Sequence, residues 1–180
     1  MARICPLYSG STGNSTYIGT QNGGIIVDAG ASLKGIEIAL NAAGGTLEEI
    51  KAVAITHEHI DHVKGLKTLL NKTKAPLIAT QKTLNALIAL DKVPSGIRVI
   101  GIEDKPIDID GIEIKRFATI HDCEGSSGYT FTLPDGKKIA VCTDLGVVTN
   151  TVREAIRKSD VVLVCNILKS CDNTFTTSVE

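Results

Sequence analysis

Short apolar runs rich in β-branched residues recur along the chain, and each of them predicts a β-strand. They lie at residues 15–19, 24–28, 52–56, 76–79, 98–102, 112–120, 129–133, 138–143 and 161–164. The turn residues Pro134, Asp135 and Gly136 separate two of these runs, which predicts an antiparallel hairpin.

Segments with a helical pattern alternate with these runs, at residues 32–43, 61–71, 80–90 and 150–158. Thr80 is the predicted N-cap of the third helix. Because strands and helices are interleaved and hairpins stand towards both ends, we predict a layered α/β (α+β) fold with mixed or antiparallel sheets. The domain is predicted to cover residues 1–165, and the polar, aperiodic residues 166–180 are predicted to form a tail.

The composition is that of a globular protein with balanced charge. Of the 180 residues, 43% are apolar and only 3% are aromatic, so the core must consist mainly of Ile, Val, Leu and Ala. The 19 basic and 20 acidic residues give a net charge of −1. This balance excludes a polybasic protein that attracts nucleic acid over its whole surface, so any polyanion must be held locally.

Signals for export or membrane insertion are absent from the sequence. No apolar run approaches the roughly 20 residues of a membrane span, and the N-terminus lacks the apolar stretch of a signal peptide. The five cysteines show no CxxC spacing, which is typical of a reducing compartment. We therefore expect a cytoplasmic protein with no membrane partner.

The candidate chemistry is concentrated in one short segment. Three of the four histidines of the chain, His57, His59 and His62, lie with Asp61 directly after an apolar strand. Such clustering is not a core pattern, because neighbouring imidazoles would repel or compete unless cations shared them. A strand that ends before the cluster and a helix that begins within it divide the ligands into two groups facing neighbouring ions. The segment is not the HExxH motif, since Asp61 stands where that motif needs its second histidine.

The spacing of these residues is an HxHxDH signature, and here the sequence resembles the metallo-β-lactamase superfamily. Residues 25–30 are similar to the superfamily's early strand-Asp-x-Gly element, and His121 and Asp144 follow later strands in the expected order. Segments 9–14, 128–131 and 143–146 resemble the YycJ/WalJ branch. This resemblance implies an αββα sandwich, a binuclear metal site and a phosphodiesterase activity of the DNA exonuclease type.

The resemblance also implies two ion sites that share a carboxylate, held by His57, His59 and His121 on one side, by Asp61 and His62 on the other, and by Asp144 between them. These donors suit two divalent ions, Zn²⁺ or Mn²⁺. Two ions that share one water can lower its pKa from ~15.7 to about 7, giving a hydroxide that attacks phosphorus. Asp61 and Asp144 are therefore also expected to be catalytic.

Three further residues are candidates for supporting roles. Asp28 is expected to orient the site through hydrogen bonds from outside the ligand shell, although a purely structural turn explains it equally well. In the glycine- and hydroxyl-rich loop 9–14, Ser11 and Asn14 are candidates for substrate binding. A tight connection between two strands is the plainer interpretation of that loop.

The sequence departs from the superfamily pattern in its last part. It has no histidine after His121, whereas the resemblance implies a late histidine that completes the second ion site. We therefore expect the second half of the sandwich to be incomplete, in a truncated or frame-shifted product, in a catalytically weak short variant, or in a homo-oligomer whose partner completes the site. The function expected first is a metal-dependent phosphodiesterase acting on nucleic acid. A metal-binding remnant without turnover and a hydrolase of a small ester, thioester or lactam are the alternatives.

Overall fold

The computed structural model describes residues 2–167, and the side chains of residues 2–164. This part of the chain forms eleven β-strands and five α-helices. The strands are β1 Arg3–Tyr8, β2 Ser15–Thr20, β3 Gly23–Val27, β4 Ile50–Ala54, β5 Leu77–Ala79, β6 Val99–Gly101, β7 Ile107–Ile109, β8 Ile112–Ala118, β9 Ser127–Thr132, β10 Lys138–Leu145 and β11 Val161–Ile167. The helices are α1 Leu33–Ala42, α2 Ile60–Val63, α3 Leu66–Thr73, α4 Gln81–Ala89 and α5 Asn150–Arg157.

The strands form two mixed sheets, as the sequence predicts. The first has the order β1-β2-β3-β4-β5-β6, antiparallel up to β3 and parallel from β3 onward. The second has the order β11-β10-β9-β8-β7 and is antiparallel except for the parallel pair of β10 and β11. The predicted hairpin joins β9 to β10, and its turn ends at Gly136, whose φ of 83° suits glycine.

Successive side chains along the strands face opposite sides of each sheet, so the two sheets and the helices on their outer faces pack as four layers. In β3, Ile25 and Val27 face the second sheet and Ile26 faces the helices. Between the sheets, the buried side chains from the strands of the second sheet are Ile112, Ile114, Tyr129, Phe131, Ile139 and Val141. On the outer face of the first sheet pack apolar residues of α1, α3 and α4: Ile36, Leu40, Leu66, Leu69, Leu70, Leu84 and Leu87. On the outer face of the second sheet, Val152 of α5 packs with Phe117, Cys142 and Leu145. The αββα arrangement is therefore confirmed.

Local differences from the sequence-based elements have tertiary causes. β1 and β7 are not predicted, because β1 is an edge strand with mostly exposed or half-buried positions and contains Pro6. The helix predicted over residues 61–71 is two helices, α2 and α3, separated at Gly65. A Cβ on Gly65 would lie 2.0 Å from the Ala31 carbonyl oxygen, so the chain is held close to the β3–α1 loop there.

The last strand, β11, continues to Ile167, beyond the predicted 161–164. Most of the predicted tail, from residue 168 onward, lies outside the described residues. Within residues 2–167, no helix is long and apolar enough to cross a membrane.

Tyr129 couples the second sheet to the strand that leads into the histidine cluster. Its buried hydroxyl donates a hydrogen bond to the Ile55 carbonyl at 2.7 Å, and burial raises the pKa of Tyr129 above its usual value of 10.0. Tyr129→Phe is expected to lower the free energy of unfolding by about 1–2 kcal/mol, because the carbonyl loses a donor inside the core. Urea unfolding of metal-depleted protein measures this loss. The control is Tyr8→Phe, since Tyr8 is exposed, and equal effects of the two changes would contradict the prediction.

Candidate metal centre

The predicted ligands come together at one end of the two sheets. His57 and His59 lie on the loop after β4, and α2, which follows immediately, contributes Asp61 and His62. From the second sheet, His121 follows β8 and Asp144 lies near the end of β10. Strands β8 and β10 are both antiparallel to β9, so their carboxyl ends meet at the same edge. Ligands from both sheets therefore lie together at one end of the fold.

The first group of ligand atoms belongs to three imidazoles, those of His57, His59 and His121. The Nε2 of His121 lies 3.2 Å from the Nδ1 of His59. The ring centroid of His57 is 4.6 Å from that of His59 and 4.8 Å from that of His121. The Nε2 of His57 is buried and has no hydrogen-bond partner among the described residues. A buried nitrogen without a hydrogen-bond partner, surrounded by other imidazoles, fits the binding of a divalent transition-metal ion, because imidazole is a common ligand of such ions.

The second group consists of His57, His62 and Asp144, all of them buried. The Oδ2 of Asp144 is 2.7 Å from the Nε2 of His62 and 3.4 Å from the Nε2 of His57. The Oδ2 of Asp61 is 3.5 Å from the same nitrogen of His62. The carboxylate oxygen of Asp144 therefore lies against His62 and against His57, the imidazole that belongs to both groups.

Asp28 lies behind His62, on the side away from the other ligands. Its Oδ2 accepts from the Nδ1 of His62 at 2.8 Å, and its Oδ1 accepts from the Thr56 backbone N–H at 2.9 Å. The Thr56 hydroxyl also donates to this carboxylate, and the Thr143 hydroxyl donates to Thr56. A carboxylate that accepts from one ring nitrogen directs the other nitrogen towards a metal.

Two carboxylates of the site sit on left-handed backbone. Asp28 has φ 61° and Asp144 has φ 47°. Such a conformation costs a non-glycine residue on the order of 1 kcal/mol, although Asp and Asn tolerate it better than other residues. The fold therefore maintains backbone strain at two of the three carboxylates that contact His62.

The buried imidazoles of His57 and His62 differ in charge. Burial lowers the pKa of His57 to about 3, and the neighbouring His62 adds to this effect. Burial also acts to lower the pKa of His62, but the adjacent Asp28 and Asp144 carboxylates outweigh it and raise the pKa to about 10. In metal-free protein near neutral pH, His57 is therefore neutral and His62 is charged.

Several residues that contact the ligands were missed by sequence reasoning. The Oδ1 of Asp122 lies 3.0 Å from the Nε2 of His121 and 3.3 Å from the Nε2 of His59. Thr56 and Thr143 belong to the hydrogen-bonded chain that ends at Asp28. Each of the three is adjacent in sequence to a predicted ligand, and that adjacency is the signal that could have found them.

The two candidates of loop 9–14 are placed differently. Ser11 is exposed on the turn, whereas Asn14 is buried, with 2% of its surface exposed, and contacts Asp61 and His62. Substrate binding by either residue stays a prediction.

Comparison with known proteins establishes the family. A model described as a beta-lactamase superfamily domain matches residues 24–176. The chain belongs to the β-lactamase superfamily. Curated relatives include the exodeoxyribonuclease YycJ of Bacillus anthracis, 34% identical over 152 residues that make up 84% of this chain and 57% of the relative. The exodeoxyribonuclease WalJ of Streptococcus pneumoniae is 34% identical over 161 residues, 88% of this chain and 60% of the relative. This superfamily chain thus spans about 60% of the length of these two relatives.

Solved structures show the same superfamily fold. A metallo-β-lactamase of Cronobacter sakazakii with an HARLDQ motif matches with a TM-score of 0.69 at 18% identity, over 89% of this chain and 76% of that one. A β-lactamase from Chitinophaga pinensis matches with a TM-score of 0.69 at 16% identity, over 91% and 75%. Proteins of this superfamily are metal-dependent hydrolases, and the His and Asp groups described above are this chain's candidate ligands.

The different charges of His57 and His62 can be measured directly. In metal-depleted protein, ¹⁵N NMR of the imidazoles is expected to show a neutral His57 and a charged His62 from pH 7 to 9, because their pKa values are about 3 and about 10. Since the pKa of His62 lies above the ordinary 6.5, its ion pairs stabilise the metal-free fold fully below pH 6.5, and this contribution is lost as pH rises through about 10. Asp28→Asn is the matched variant, and it should lower the pKa of His62. Titration of both imidazoles near 6.5 in the unaltered protein would contradict the assignment.

Proposed function

We propose that this chain forms the catalytic core of a divalent-metal-dependent phosphodiesterase that acts on DNA as an exonuclease. The observation that carries the proposal is that the Asp144 Oδ2 lies 2.7 Å from His62 and 3.4 Å from His57, the imidazole that belongs to both groups of ligand atoms. Such an arrangement suits two ions that share a carboxylate, which is the site used for in-line displacement at phosphorus. The names of the YycJ and WalJ relatives support DNA as the substrate.

In this proposal each ligand has a defined part. One ion, Zn²⁺ or Mn²⁺, would be held by His57, His59 and His121, and a second by Asp61 and His62, with Asp144 shared between them. Bound ions would offset the charge of the phosphodiester and lower the pKa of a water. Asp28 holds the Nδ1–H of His62, and Asp122 lies beside the Nε2 of His59. The Asp28 carboxylate would thereby direct the Nε2 of His62 towards the ions.

The charge of the whole chain provides no general attraction for a phosphodiester substrate. The chain carries a net charge of −1, so attraction of a polyanion must come from the ion site itself. Metal binding without turnover is the second candidate, because the group around His62 has only Asp61 and the shared Asp144 as further predicted ligands. Completion of that group by another copy of the chain, and a cytoplasmic location, remain predictions from the sequence.

A substrate panel tests the proposal. Metal-depleted full chain is incubated with end-labelled single- and double-stranded DNA, bis(p-nitrophenyl) phosphate, p-nitrophenyl acetate and nitrocefin, with Mn²⁺, Zn²⁺ or chelator. We expect ion-dependent shortening of DNA from its ends and ion-dependent hydrolysis of the phosphodiester. Hydrolysis of p-nitrophenyl acetate or nitrocefin without cleavage of DNA would overturn the proposal. Tight ion binding without turnover of any substrate would favour the second candidate.

A further inference from the structure

We propose that Asn14 is a positioning residue for the His62 side of the metal centre, where its amide nitrogen holds the Asp61 carboxylate beside His62. The inference rests on the proposed ion site, and it assigns to loop 9–14 a part in ion binding rather than in contact with substrate. Its test uses ion affinity, so that it can fail independently of the proposed hydrolysis.

Asn14 is buried and its side chain is surrounded by polar partners. Its Nδ2 lies 3.2 Å from the Oδ2 of Asp61 and 3.1 Å from the Nε2 of His62. The same nitrogen donates to the Gly10 carbonyl at 3.1 Å, and the Oδ1 accepts from the Gly10 N–H at 3.2 Å. The amide therefore joins the loop to two of the predicted ligands.

The pair of bonds with Gly10 fixes which end of the amide faces the ligands. Rotating the amide by half a turn would place its NH₂ against the Gly10 N–H and its oxygen against the Gly10 carbonyl, losing both bonds. The nitrogen consequently faces Asp61 and His62. An amide nitrogen carries no lone pair for a cation, so Asn14 acts on the site as a donor and not as a ligand.

The number of hydrogens on the Nδ2 of Asn14 determines which of its neighbours can receive a hydrogen bond. Nδ2 has two hydrogens and three polar neighbours, the Gly10 carbonyl, the Asp61 carboxylate and the Nε2 of His62. One hydrogen is given to Gly10. The Nε2 of His62 accepts no hydrogen bond when it is protonated in the metal-free chain, nor when its lone pair is given to an ion, so the second hydrogen is left for the Oδ2 of Asp61. The hydrogen bond from Asn14 to Asp61 is therefore compatible with an ion bound to His62.

Asp61 needs such a partner because it is not immobilised by burial. Its side chain is 24% exposed, whereas His62 is fully buried. A carboxylate that can turn towards solvent loses entropy when an ion fixes it, and a hydrogen bond that holds it in advance lowers that cost. Loss of the bond should weaken the ion on the His62 side and leave the group of His57, His59 and His121 unchanged.

The backbone of Asn14 is anchored independently of its side chain. Its N–H donates to the Asp61 carbonyl at 2.7 Å, and its own carbonyl accepts from the Gly30 N–H at 2.8 Å. A Cβ on Gly30 would lie 1.7 Å from that Asp61 carbonyl oxygen, which shows how closely these segments approach. A substitution at residue 14 therefore removes the amide while the loop keeps its main-chain attachment to α2.

The test is a Zn²⁺ titration of the metal-depleted full chain by calorimetry, with Co²⁺ absorption as the spectroscopic readout. The ion on the His62 side is expected to be the more weakly held, because fewer ligands are predicted there. Asn14→Ala is expected to raise the Kd of this weaker ion by about 10- to 100-fold, the usual effect of removing an outer partner of a metal ligand. The Kd of the tighter ion should change less than twofold. The matched control is Thr12→Ala in the same loop, whose exposed side chain should leave both constants unchanged.

A double variant distinguishes positioning from a general loss of structure. If Asn14 acts through Asp61, adding Asn14→Ala to Asp61→Ala should weaken the second ion no further. Asn14→Ser keeps a polar group that is too short to replace the amide, so it should reproduce the selective loss if the alanine variant fails to fold. Equal weakening of both ions, additive losses in the double variant, or a wild-type chain that binds no second ion would overturn the proposal.

Discussion

His57→Ala is expected to leave the purified protein almost without tightly bound metal. His57 belongs to both groups of ligand atoms, and its Nε2 is buried without a hydrogen-bond partner among the described residues. A structural zinc site releases roughly 10–16 kcal/mol through four ligands, so one ligand contributes about 3 kcal/mol and its loss weakens binding about 100-fold. Elemental analysis after dialysis measures the metal that remains.

The control for this variant must come from another residue type, because all four histidines of the chain lie in the site. Glu124→Ala is suitable, since Glu124 is 86% exposed and pairs with Lys82 on the surface. It should retain the wild-type metal content. A His57→Ala protein that also retains it would show that the histidine cluster is not where the metal binds.

The central strands were predictable because their burial follows local rules. β3 and β4 are nearly continuous apolar runs, as expected for parallel strands covered on both faces. β8 alternates strictly between buried and exposed positions up to Arg116. Edge strands gain less from burial, so β1 and β7 leave a weaker pattern in the sequence.

The ligands were easier to predict than the residues that support them. Four of the ligands lie within six positions, so the cluster is visible in the sequence itself: His57, His59, Asp61 and His62. The contact of Asn14 with Asp61 spans 47 positions and depends on how loop 9–14 packs against α2. No local pattern encodes such a contact. The interruption between α2 and α3 likewise coincides with the close approach of the β3–α1 loop to Gly65.

Asp144→Asn is expected to reduce ion-dependent phosphodiester hydrolysis by about 100-fold or more, because it removes the charge of the carboxylate that lies against both His62 and His57, the imidazole shared by the two groups. Asparagine is the informative replacement, since it tolerates the φ of 47° at this position and so separates loss of charge from backbone strain. Asp144→Ala should lose the same activity and in addition be less stable by roughly 1 kcal/mol. Hydrolysis of bis(p-nitrophenyl) phosphate with Mn²⁺ measures the first effect, and thermal unfolding of metal-depleted protein measures the second.

The control is Asp160→Asn, a change at a carboxylate whose Oδ2 accepts from the Lys138 N–H in the turn region away from the histidines. It should hydrolyse the phosphodiester at the wild-type rate. Zn²⁺ titration of Asp144→Asn adds a readout that needs no turnover, because loss of a shared carboxylate should weaken both ions, whereas Asn14→Ala should weaken only one. An Asp144→Asn protein that binds two ions as tightly as the unaltered chain and hydrolyses the phosphodiester at its rate would remove the basis for a shared carboxylate. The ions would then have to be held by separate sets of donors.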